Sequence, residues 1–351
     1  MRTQDRDAAG KKQVIVILGM ARSGTSAIAR GLKALGVSLG DKLTPASDRW
    51  NPKGFFEDTD IVYKINRGAL YALDHPWMSV NLVEKLKQGT GSLQDLKLSA
   101  VSLLKQRIAN TQYWGFKDPR TAKLIPFWQE VFATLGVEDS YVIALRNPLS
   151  SAHSYQHLSG CDLEEALLLW LMHLIPAVEG THGKTRVVVS YDMLLQDPHL
   201  QLGRVKLALD LPDLAEAAEI DAYAHEFLDK KLHHYEYNLE DLKSHPATAA
   251  APLCVTVYEL LQRLAKDEIK FEDPEFISAW QDVREELNRV YPIYSYIDTL
   301  LKRNKQLERK IRTTHKSILW KMLYPLRLID DALRSRRRRI REQKRLIKVY
   351  E

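Results

Sequence analysis

Cysteine is scarce in this chain, which has only Cys161 and Cys254 among its 351 residues. Two cysteines cannot supply the disulfide framework of a small secreted scaffold, and neither lies in the CxxC or Cys/His spacing that is typical of zinc sites. We therefore predict no metal site. The same scarcity favours a reducing, cytoplasmic setting.

Long apolar runs are also missing. Residues 1–12 are polar and charged, without the apolar stretch of a secretory signal, and we expect them to form a flexible N-terminus. The most apolar run, residues 163–175, is interrupted by Glu164, Glu165 and His173 and is too short to cross a bilayer. The sequence thus predicts neither export nor a membrane span.

Charge is distributed unevenly along the chain. The formal net charge is +6, but residues 301–351 hold 18 Lys and Arg against 5 Asp and Glu, which leaves residues 1–300 slightly acidic. From residue 296 the pattern predicts a charged, coiled-coil-like helix. Its apolar residues have heptad-like spacing, at Ile297, Leu300, Leu307 and Ile311. We divide the chain into a core at 13–240, a helical region at 241–295 and a basic helical extension at 296–351.

Four short apolar runs predict buried strands, at residues 14–18, 113–116, 141–145 and 187–189. Helical patterns separate them, and this alternation is typical of a doubly wound parallel sheet flanked by helices. Polar residues follow each run directly, and in such sheets ligands bind beyond the carboxyl ends of the strands. The sequence therefore predicts an α/β fold with a polar site at that edge of the sheet.

The first predicted strand leads into a glycine loop at residues 19–26, with the sequence GMARSGTS. Gly19 and Gly24 have P-loop spacing, in which backbone N–H groups and a helix N-terminus hold an anion. The lysine used in triphosphate hydrolysis is replaced by Thr25, and a basic side chain stands inside the loop instead, at Arg22. The loop predicts a P-loop type fold that binds an anion without the usual lysine.

This loop resembles the 5'-phosphosulfate loop of sulfotransferases that use 3'-phosphoadenosine 5'-phosphosulfate (PAPS), in the version with arginine in place of the usual lysine. The resemblance implies that Arg22 neutralises the bridging oxygen of the donor. Sulfuryl transfer suits such a loop, because a cation at that oxygen and N–H donors on the others suffice. The resemblance further implies that the 5'-phosphate is held by Gly19, Ser23, Gly24, Thr25 and Ser26.

The third predicted strand leads into a motif that begins at Arg146 and has Ser154 eight residues later. Asn147 suits a helix N-cap and Pro148 the first helical position, so Ser154 falls in the second turn of that helix, near the strand end. The 3'-phosphate motif of the sulfotransferases has the same offset. The resemblance implies that Arg146 and Ser154 bind the 3'-phosphate, the group that distinguishes PAPS from ATP.

Two further strand ends resemble the family in part. Lys117 follows the second strand and is a candidate for stabilising charge on the transferred group, but the histidine that relatives place two residues later is Pro119 here. This position therefore cannot supply the histidine base that small-molecule sulfotransferases use. Tyr191 follows the fourth strand and resembles the tyrosine that approaches the adenine of the donor.

An acceptor hydroxyl must lose its proton as it attacks sulfur, so a general base is needed near Arg22. Glu57 is our choice, because it lies in the Pro/Gly loop at residues 51–58, after the first helix, where several sulfotransferase groups place a glutamate base. Asp58, Asp118 and His153 remain alternatives.

Together these residues predict a PAPS-dependent sulfotransferase that acts on a hydroxyl or amine. The acceptor stays open, although residues 320–327 resemble a segment found after coiled coils in bacterial surface-polysaccharide enzymes, which implies a carbohydrate. Residues 241–295 are a candidate cover for the acceptor site. Two alternatives remain: a nucleotide-dependent P-loop phosphotransferase, and a non-catalytic scaffold that binds PAPS.

The basic extension has a candidate role of its own. Apolar residues beside many arginines at 313–351 can lie on an anionic membrane surface or pack on a partner helix. We therefore expect a cytoplasmic protein with peripheral contact at the inner membrane face. A nucleic-acid-binding arm is disfavoured, because no reader fold is recognisable.

Overall fold

The computed structural model describes residues 11–48, 50–82, 91–229 and 235–317 of the chain. The chain divides between Tyr294 and Ser295 into two compact units. The first unit contains a parallel sheet with helices on both faces, and the second contains the last part of a long helix.

The sheet consists of β1 (Gln13–Leu18), β2 (Tyr113–Lys117), β3 (Glu138–Leu145) and β4 (Thr185–Ser190), all parallel, in the order β2-β1-β3-β4. The four predicted strands are confirmed, and with them the predicted α/β fold. Apolar runs form strands here because helices cover both faces of the sheet, so that every residue of β1 is buried.

The order of the strands changes direction beside β1. From β1 the chain crosses to β2 on one side, and from β2 it returns past β1 to β3 on the other side. Where the order changes in this way, a crevice opens beyond the carboxyl ends of the strands, and it is the usual position of the ligand. The segments that follow β1 and β3, residues 19–26 and 146–154, begin at this crevice.

The remaining elements lie between the strands and after β4. The α-helices, in chain order, are α1 (Thr25–Ala34), α2 (Arg67–Ala72), α3 (Gln94–Arg107), α4 (Ile125–Leu135), α5 (Pro148–Ser159), α6 (Leu163–Gly180), α7 (Tyr191–Gln196), α8 (Pro198–Ala208), α9 (Ala217–Ala222), α10 (Leu239–Ser244), α11 (Leu253–Ala265) and α12 (Pro274–Lys316). π-helical turns lie at Ile61–Asn66 and Tyr223–Phe227, and 3-10 turns lie at Gly91–Leu93, Pro119–Lys123 and Pro246–Ala250. The charged segment from residue 296 belongs to α12, which begins at Pro274.

Successive side chains of each strand point to opposite faces of the sheet. On one face, Ile15 and Ile17 of β1 belong to the same buried cluster as Ile28 and Leu32 of α1. On the other face, α6 contacts β1 and β3, and α11 contacts β3 and β4. Helix α6 is apolar nearly all round because it lies between the sheet and further helices. The most apolar run of the sequence is therefore a core helix.

Within the described ranges, no helix has both the length and the apolar character needed to cross a membrane. The predicted membrane or partner contact at 313–351 falls mostly outside these ranges, which end at Ser317.

Candidate functional site

Three residues with left-handed backbones turn the loop after β1 sharply. Gly19, Arg22 and Gly24 have φ angles of 138°, 73° and 82°. A Cβ on Gly19 would lie 3.0 Å from the Ala144 carbonyl oxygen of β3, so the close approach of these segments requires glycine. Arg22 adopts its conformation at a cost of about 1–2 kcal/mol, a kind of strain that collects at functional sites. Helix α1 then begins at Thr25 without a side-chain cap, which leaves its first N–H groups available to an anion.

Two arginines meet at this loop. Arg22 donates from Nε to Ser154 Oγ at 3.0 Å and from Nη1 to the Trp50 carbonyl oxygen at 2.8 Å. Arg146 donates from Nη1 to the carbonyl oxygen of Arg22 at 3.1 Å and from Nη2 to that of Tyr235 at 2.8 Å. The fold thus brings together three predicted donor-binding residues from two distant parts of the sequence.

Neither guanidinium pairs with a carboxylate of the described residues. Burial lowers the pKa of both groups, and the charge of Arg22 adds to the lowering at Arg146, against the opposing effects of Asp192 and Tyr191. Arg146 is 5% exposed, and its Nε is buried without a hydrogen-bond partner in the described part of the chain. Two desolvated like charges are stabilised by an anion that binds to both. The pair therefore has the properties of an anion site.

The motif that begins at Arg146 folds as predicted. Asn147 caps α5 by accepting hydrogen bonds from two backbone N–H groups of its first turn, at 2.9 and 3.4 Å, and Pro148 is the first helical residue. The indole of Trp170 donates to the Arg146 carbonyl oxygen at 3.2 Å. These contacts fix the end of β3 relative to the start of α5, and so they fix the position of Ser154 relative to Arg146.

A second polar cluster joins the start of α1 to the end of β2. Lys117 donates from Nζ to Glu57 Oε1 at 2.6 Å, to the Phe55 carbonyl oxygen at 3.1 Å and to Ser26 Oγ at 3.3 Å. Ser26 Oγ donates to the same carbonyl at 3.1 Å and accepts from Asn51 at 3.0 Å. Lys117 and Glu57 are both buried. This ion pair holds the Pro/Gly loop against the first turn of the helix that follows the glycine loop.

Tyr191 is the first residue of α7 and contacts both the glycine loop and Arg146. Its ring packs on Gly24, and the guanidinium of Arg146 lies 5.2 Å from the ring centroid. Burial raises the pKa of the Tyr191 hydroxyl, and the charge of Arg146 opposes that shift. The ring therefore supports the glycine loop and Arg146 together.

The sequence matches no protein-family model and no curated protein. Among solved structures, the sulfotransferase domain from the Synechococcus PCC 7002 olefin synthase is similar to this chain, with 13% sequence identity and a TM-score of 0.36. The match covers 81% of this chain and 98% of that domain. This chain is thus similar to a sulfotransferase domain. Its fold assignment rests on its own strands and helices.

The four candidate bases have different surroundings. Asp58 accepts from Arg107 Nε at 2.6 Å, and Asp118 accepts from Arg120 Nη1 at 2.7 Å; both carboxylates also cap backbone N–H groups. These two acids hold local structure. Glu57 instead bonds to Lys117 beside Ser26, which favours it among the acids. Among the described residues, no three His, Cys, Asp or Glu side chains form a group that could bind a metal.

His153, the fourth candidate, lies in an aromatic stack. Its ring is stacked on Tyr235 and Tyr237 at centroid distances of 5.7 and 5.2 Å and is edge-on to His245 at 5.9 Å. Burial lowers the pKa of His153, and the neighbouring His245 lowers it further. No contact within the described ranges joins its ring to Glu57.

Two polar residues of the site were missed by the sequence analysis. Asn51 donates to Ser26 Oγ at 3.0 Å, and the hydroxyls of Ser151 and Ser23 lie 3.2 Å apart. Both residues stand inside segments that the sequence already marked, one in the Pro/Gly loop and the other one helical turn before Ser154. Helical spacing from Ser154 would have identified Ser151, because residues three apart lie on the same helix face.

Proposed function

We propose that this protein is a sulfotransferase that moves the sulfuryl group of PAPS to a hydroxyl or amine acceptor. The observation that carries the proposal is the meeting of Arg22, Arg146 and Ser154 at a P-loop that lacks the usual lysine. A buried arginine and a half-buried arginine, neither with a carboxylate partner among the described residues, suit a donor with anionic groups at two points, its 5'-phosphosulfate and its 3'-phosphate.

The proposed 5'-phosphate contacts come from the glycine loop. Backbone N–H groups between Gly19 and Ser26 bind the phosphate oxygens, together with the hydroxyl of Ser23 in the loop and that of Thr25, the first residue of α1. Gly24 adopts the left-handed backbone that the loop requires, and its lack of a Cβ leaves room for the ring of Tyr191.

The proposed 3'-phosphate contacts come from β3 and α5. Arg146 donates to the Tyr235 carbonyl oxygen at 2.8 Å, and Ser154 accepts from Arg22 at 3.0 Å. A bound phosphate would replace the Tyr235 carbonyl as the partner of Arg146 and would accept from Ser154, because arginine bonds more strongly to an anionic oxygen than to a neutral carbonyl. Tyr191, beside Arg146, is the proposed aromatic contact of the adenine.

In the proposed transfer, the acceptor oxygen attacks sulfur and the bond from sulfur to the bridging oxygen breaks. 3'-Phosphoadenosine 5'-phosphate (PAP) leaves with that electron pair, and the acceptor proton passes to Glu57. Arg22 neutralises the charge that develops on the bridging oxygen, and Lys117 stabilises the sulfuryl group in transfer. Lys117 bonds to Oε1 of Glu57, and no hydrogen bond of the described residues involves Oε2, which is the proposed proton acceptor.

Two features oppose the alternative of a nucleotide-dependent phosphotransferase. Thr25 stands where the catalytic lysine of triphosphate hydrolysis would be, and Arg146 with Ser154 has no counterpart in ATP recognition, since ATP lacks a 3'-phosphate. A non-catalytic scaffold would keep PAPS binding and lose the roles of Glu57 and Lys117.

The remaining proposals concern the acceptor and the location. We keep a carbohydrate as the proposed acceptor, residues 241–295 as the proposed cover of its site, and a cytoplasmic location with residues 313–351 at a membrane or partner surface. Sedimentation with anionic liposomes tests the last point, because a chain that ends at residue 312 should then fail to bind them.

The function itself is tested by incubating the protein with radiolabelled PAPS and a panel of sugars, peptides and phenols, with labelled ATP and magnesium in parallel. Sulfated product with release of PAP supports the proposal. Phosphorylated product from ATP would establish the phosphotransferase. Tight PAP binding without transfer to any acceptor would leave the scaffold as the function.

A further inference from the structure

The part of α12 in the second unit, residues 295–316, has an exposed apolar stripe. Leu300 is 40% exposed, and Leu307 and Ile311 are each 55% exposed. Most other residues of this stretch are charged or polar, at 298, 299, 302–306, 308–310 and 312–316. A stripe this narrow on a polar helix matches a partner helix better than a flat surface, which needs a wider apolar face.

The stripe follows a seven-residue repeat, with apolar residues at four of the six a and d positions. Ile297, Asn304 and Ile311 occupy the a positions, and Leu300, Leu307 and Thr314 occupy the d positions. A sustained repeat of this period keeps the a and d side chains facing a partner helix when the two helices supercoil left-handedly. The helix therefore carries the sequence of a coiled coil over three heptads.

We propose that residues 295–316 form a parallel, in-register, two-stranded coiled coil with a second copy of this chain. Isoleucine at a with leucine at d favours two parallel strands. Asn304 is the single polar residue of the three a positions and is exposed in one copy of the chain. In parallel pairs such an asparagine fixes register and strand number, because its amide can pair with the same amide across the axis.

The charged residues beside the stripe complement each other in this arrangement. Arg303 occupies a g position, and Glu308 occupies the e position of the next heptad, so each arginine faces the glutamate of the other copy in a parallel dimer. Neither side chain has an ion-pair partner within the described ranges. Tyr296 at g and Leu301 at e add an apolar pair by the same geometry.

An antiparallel pair of these helices fits the sequence of residues 295–316 less well. In an antiparallel pair, g positions face g positions, which brings Arg303 against Lys310 of the other copy. Asn304 would then lie against leucine at d, with its amide unpaired in an apolar layer. Repulsion and an unpaired amide together select the parallel form.

Sedimentation velocity of the full chain in the micromolar range tests the association. The wild type should sediment as a dimer, and Leu300→Asp combined with Leu307→Asp should sediment as a monomer with an unchanged melting temperature of the folded core. A wild type that stays monomeric throughout this range overturns the proposal. A shift that occurs only with anionic vesicles, and not in solution, overturns it in favour of a membrane helix.

A charge swap tests the proposed contact between Arg303 of one copy and Glu308 of the other. Arg303→Glu should raise the dimer dissociation constant about tenfold, and adding Glu308→Arg should restore it. Arg309→Glu, at an outward-facing f position, is the matched control and should leave the constant unchanged. Failure of the second substitution to restore the dimer contradicts the proposed contact.

A disulfide cross-link tests whether the two helices run parallel and in register. Asn304→Cys should form a disulfide-linked dimer under mild oxidant, because the two a positions face each other only in the parallel, in-register form. The wild type, with Cys161 and Cys254, is the control and should stay unlinked. Absence of the cross-link in a protein that is still dimeric overturns the parallel arrangement. None of these measurements depends on the donor or acceptor, so their outcome is independent of the proposed activity.

Discussion

The ring of Tyr191 occupies the space that a side chain on Gly24 would need. A Cβ at Gly24 would lie 2.3 Å from Tyr191 Cδ2 and 2.6 Å from its Cγ, and the φ angle of Gly24 is 82°. Because the same ring also lies beside Arg146, a change at Gly24 disturbs both proposed phosphate contacts at once.

We expect Gly24→Ala to weaken PAP binding about tenfold or more. The left-handed backbone alone costs about 1–2 kcal/mol for alanine, and displacement of Tyr191 adds to it. Gly203→Ala is the matched control, since nothing lies within 4 Å of a Cβ there and the residue is inside a helix. Calorimetric titration of both variants with PAP makes the comparison. Equal affinities would show that the loop and Tyr191 do not hold the donor.

Glu57→Gln should lower turnover about a hundredfold or more and leave PAP affinity unchanged. Glutamine keeps an oxygen for Lys117, which bonds to Glu57 at 2.6 Å, but it cannot take the acceptor proton. Steady-state turnover and calorimetry on the same preparation separate the two effects. Turnover equal to that of the wild type would remove Glu57 from the mechanism.

Asp58→Asn should lower the stability of the fold and leave turnover unchanged. The carboxylate of Asp58 accepts from Arg107 at 2.6 Å and from the backbone N–H groups of Asp60 and Ile61 at 2.9 and 3.1 Å. Loss of its charge should lower the free energy of unfolding by about 2 kcal/mol, while turnover per folded molecule stays unchanged. Urea unfolding followed by fluorescence, together with the transfer assay, gives both quantities. A large loss of turnover in a stable variant would make Asp58 the base.

His173 should make the fold sensitive to acid. Burial, with a contribution from the charge of Lys123, lowers the pKa of His173 from 6.5 to about 3. Below pH 6.5 the unfolded chain therefore binds a proton that the folded chain does not, so stability falls with falling pH between 6.5 and about 3, by up to about 1.4 kcal/mol per pH unit.

The prediction is tested by urea unfolding of His173→Gln across this pH range. The variant should show a smaller loss of stability on acidification than the wild type. His182→Gln, at an exposed position, is the control and should follow the wild type. Parallel pH curves for all three proteins would contradict a neutral, buried His173.

The strands and the start of α5 could be predicted from the sequence because their causes are local. Residues 14–18 form a short run that is apolar throughout and rich in β-branched residues, which is typical of a strand covered on both faces. Asn147 followed by Pro148 sets the first helical residue directly, so the position of Ser154 in the second turn follows from helix geometry.

The groups that hold the two arginines could not be predicted in this way. Arg22 bonds to the carbonyl oxygen of Trp50, and Arg146 bonds to that of Tyr235. Every residue type has a backbone carbonyl, so no sequence pattern marks these partners. The path of the chain outside the sheet decides which carbonyls come close.

The choice between neighbouring acids also depended on the structure. Glu57 and Asp58 are adjacent carboxylates, and in the sequence only the family resemblance favoured Glu57 over Asp58. Their side chains contact different elements, one reaching Lys117 at the end of β2 and the other reaching Arg107 at the end of α3. Only the positions of those distant cations distinguish the two carboxylates.

Calorimetric titration with PAP, and separately with ATP and magnesium, tests the central claim most directly when it is made on the wild type, on Arg146→Ala and on the surface control Arg284→Ala. We predict tight binding of PAP and not of ATP by the wild type and the control, and loss of PAP binding in Arg146→Ala. A wild type that prefers ATP, or an Arg146→Ala variant that binds PAP as tightly as the control, would contradict the proposed donor site.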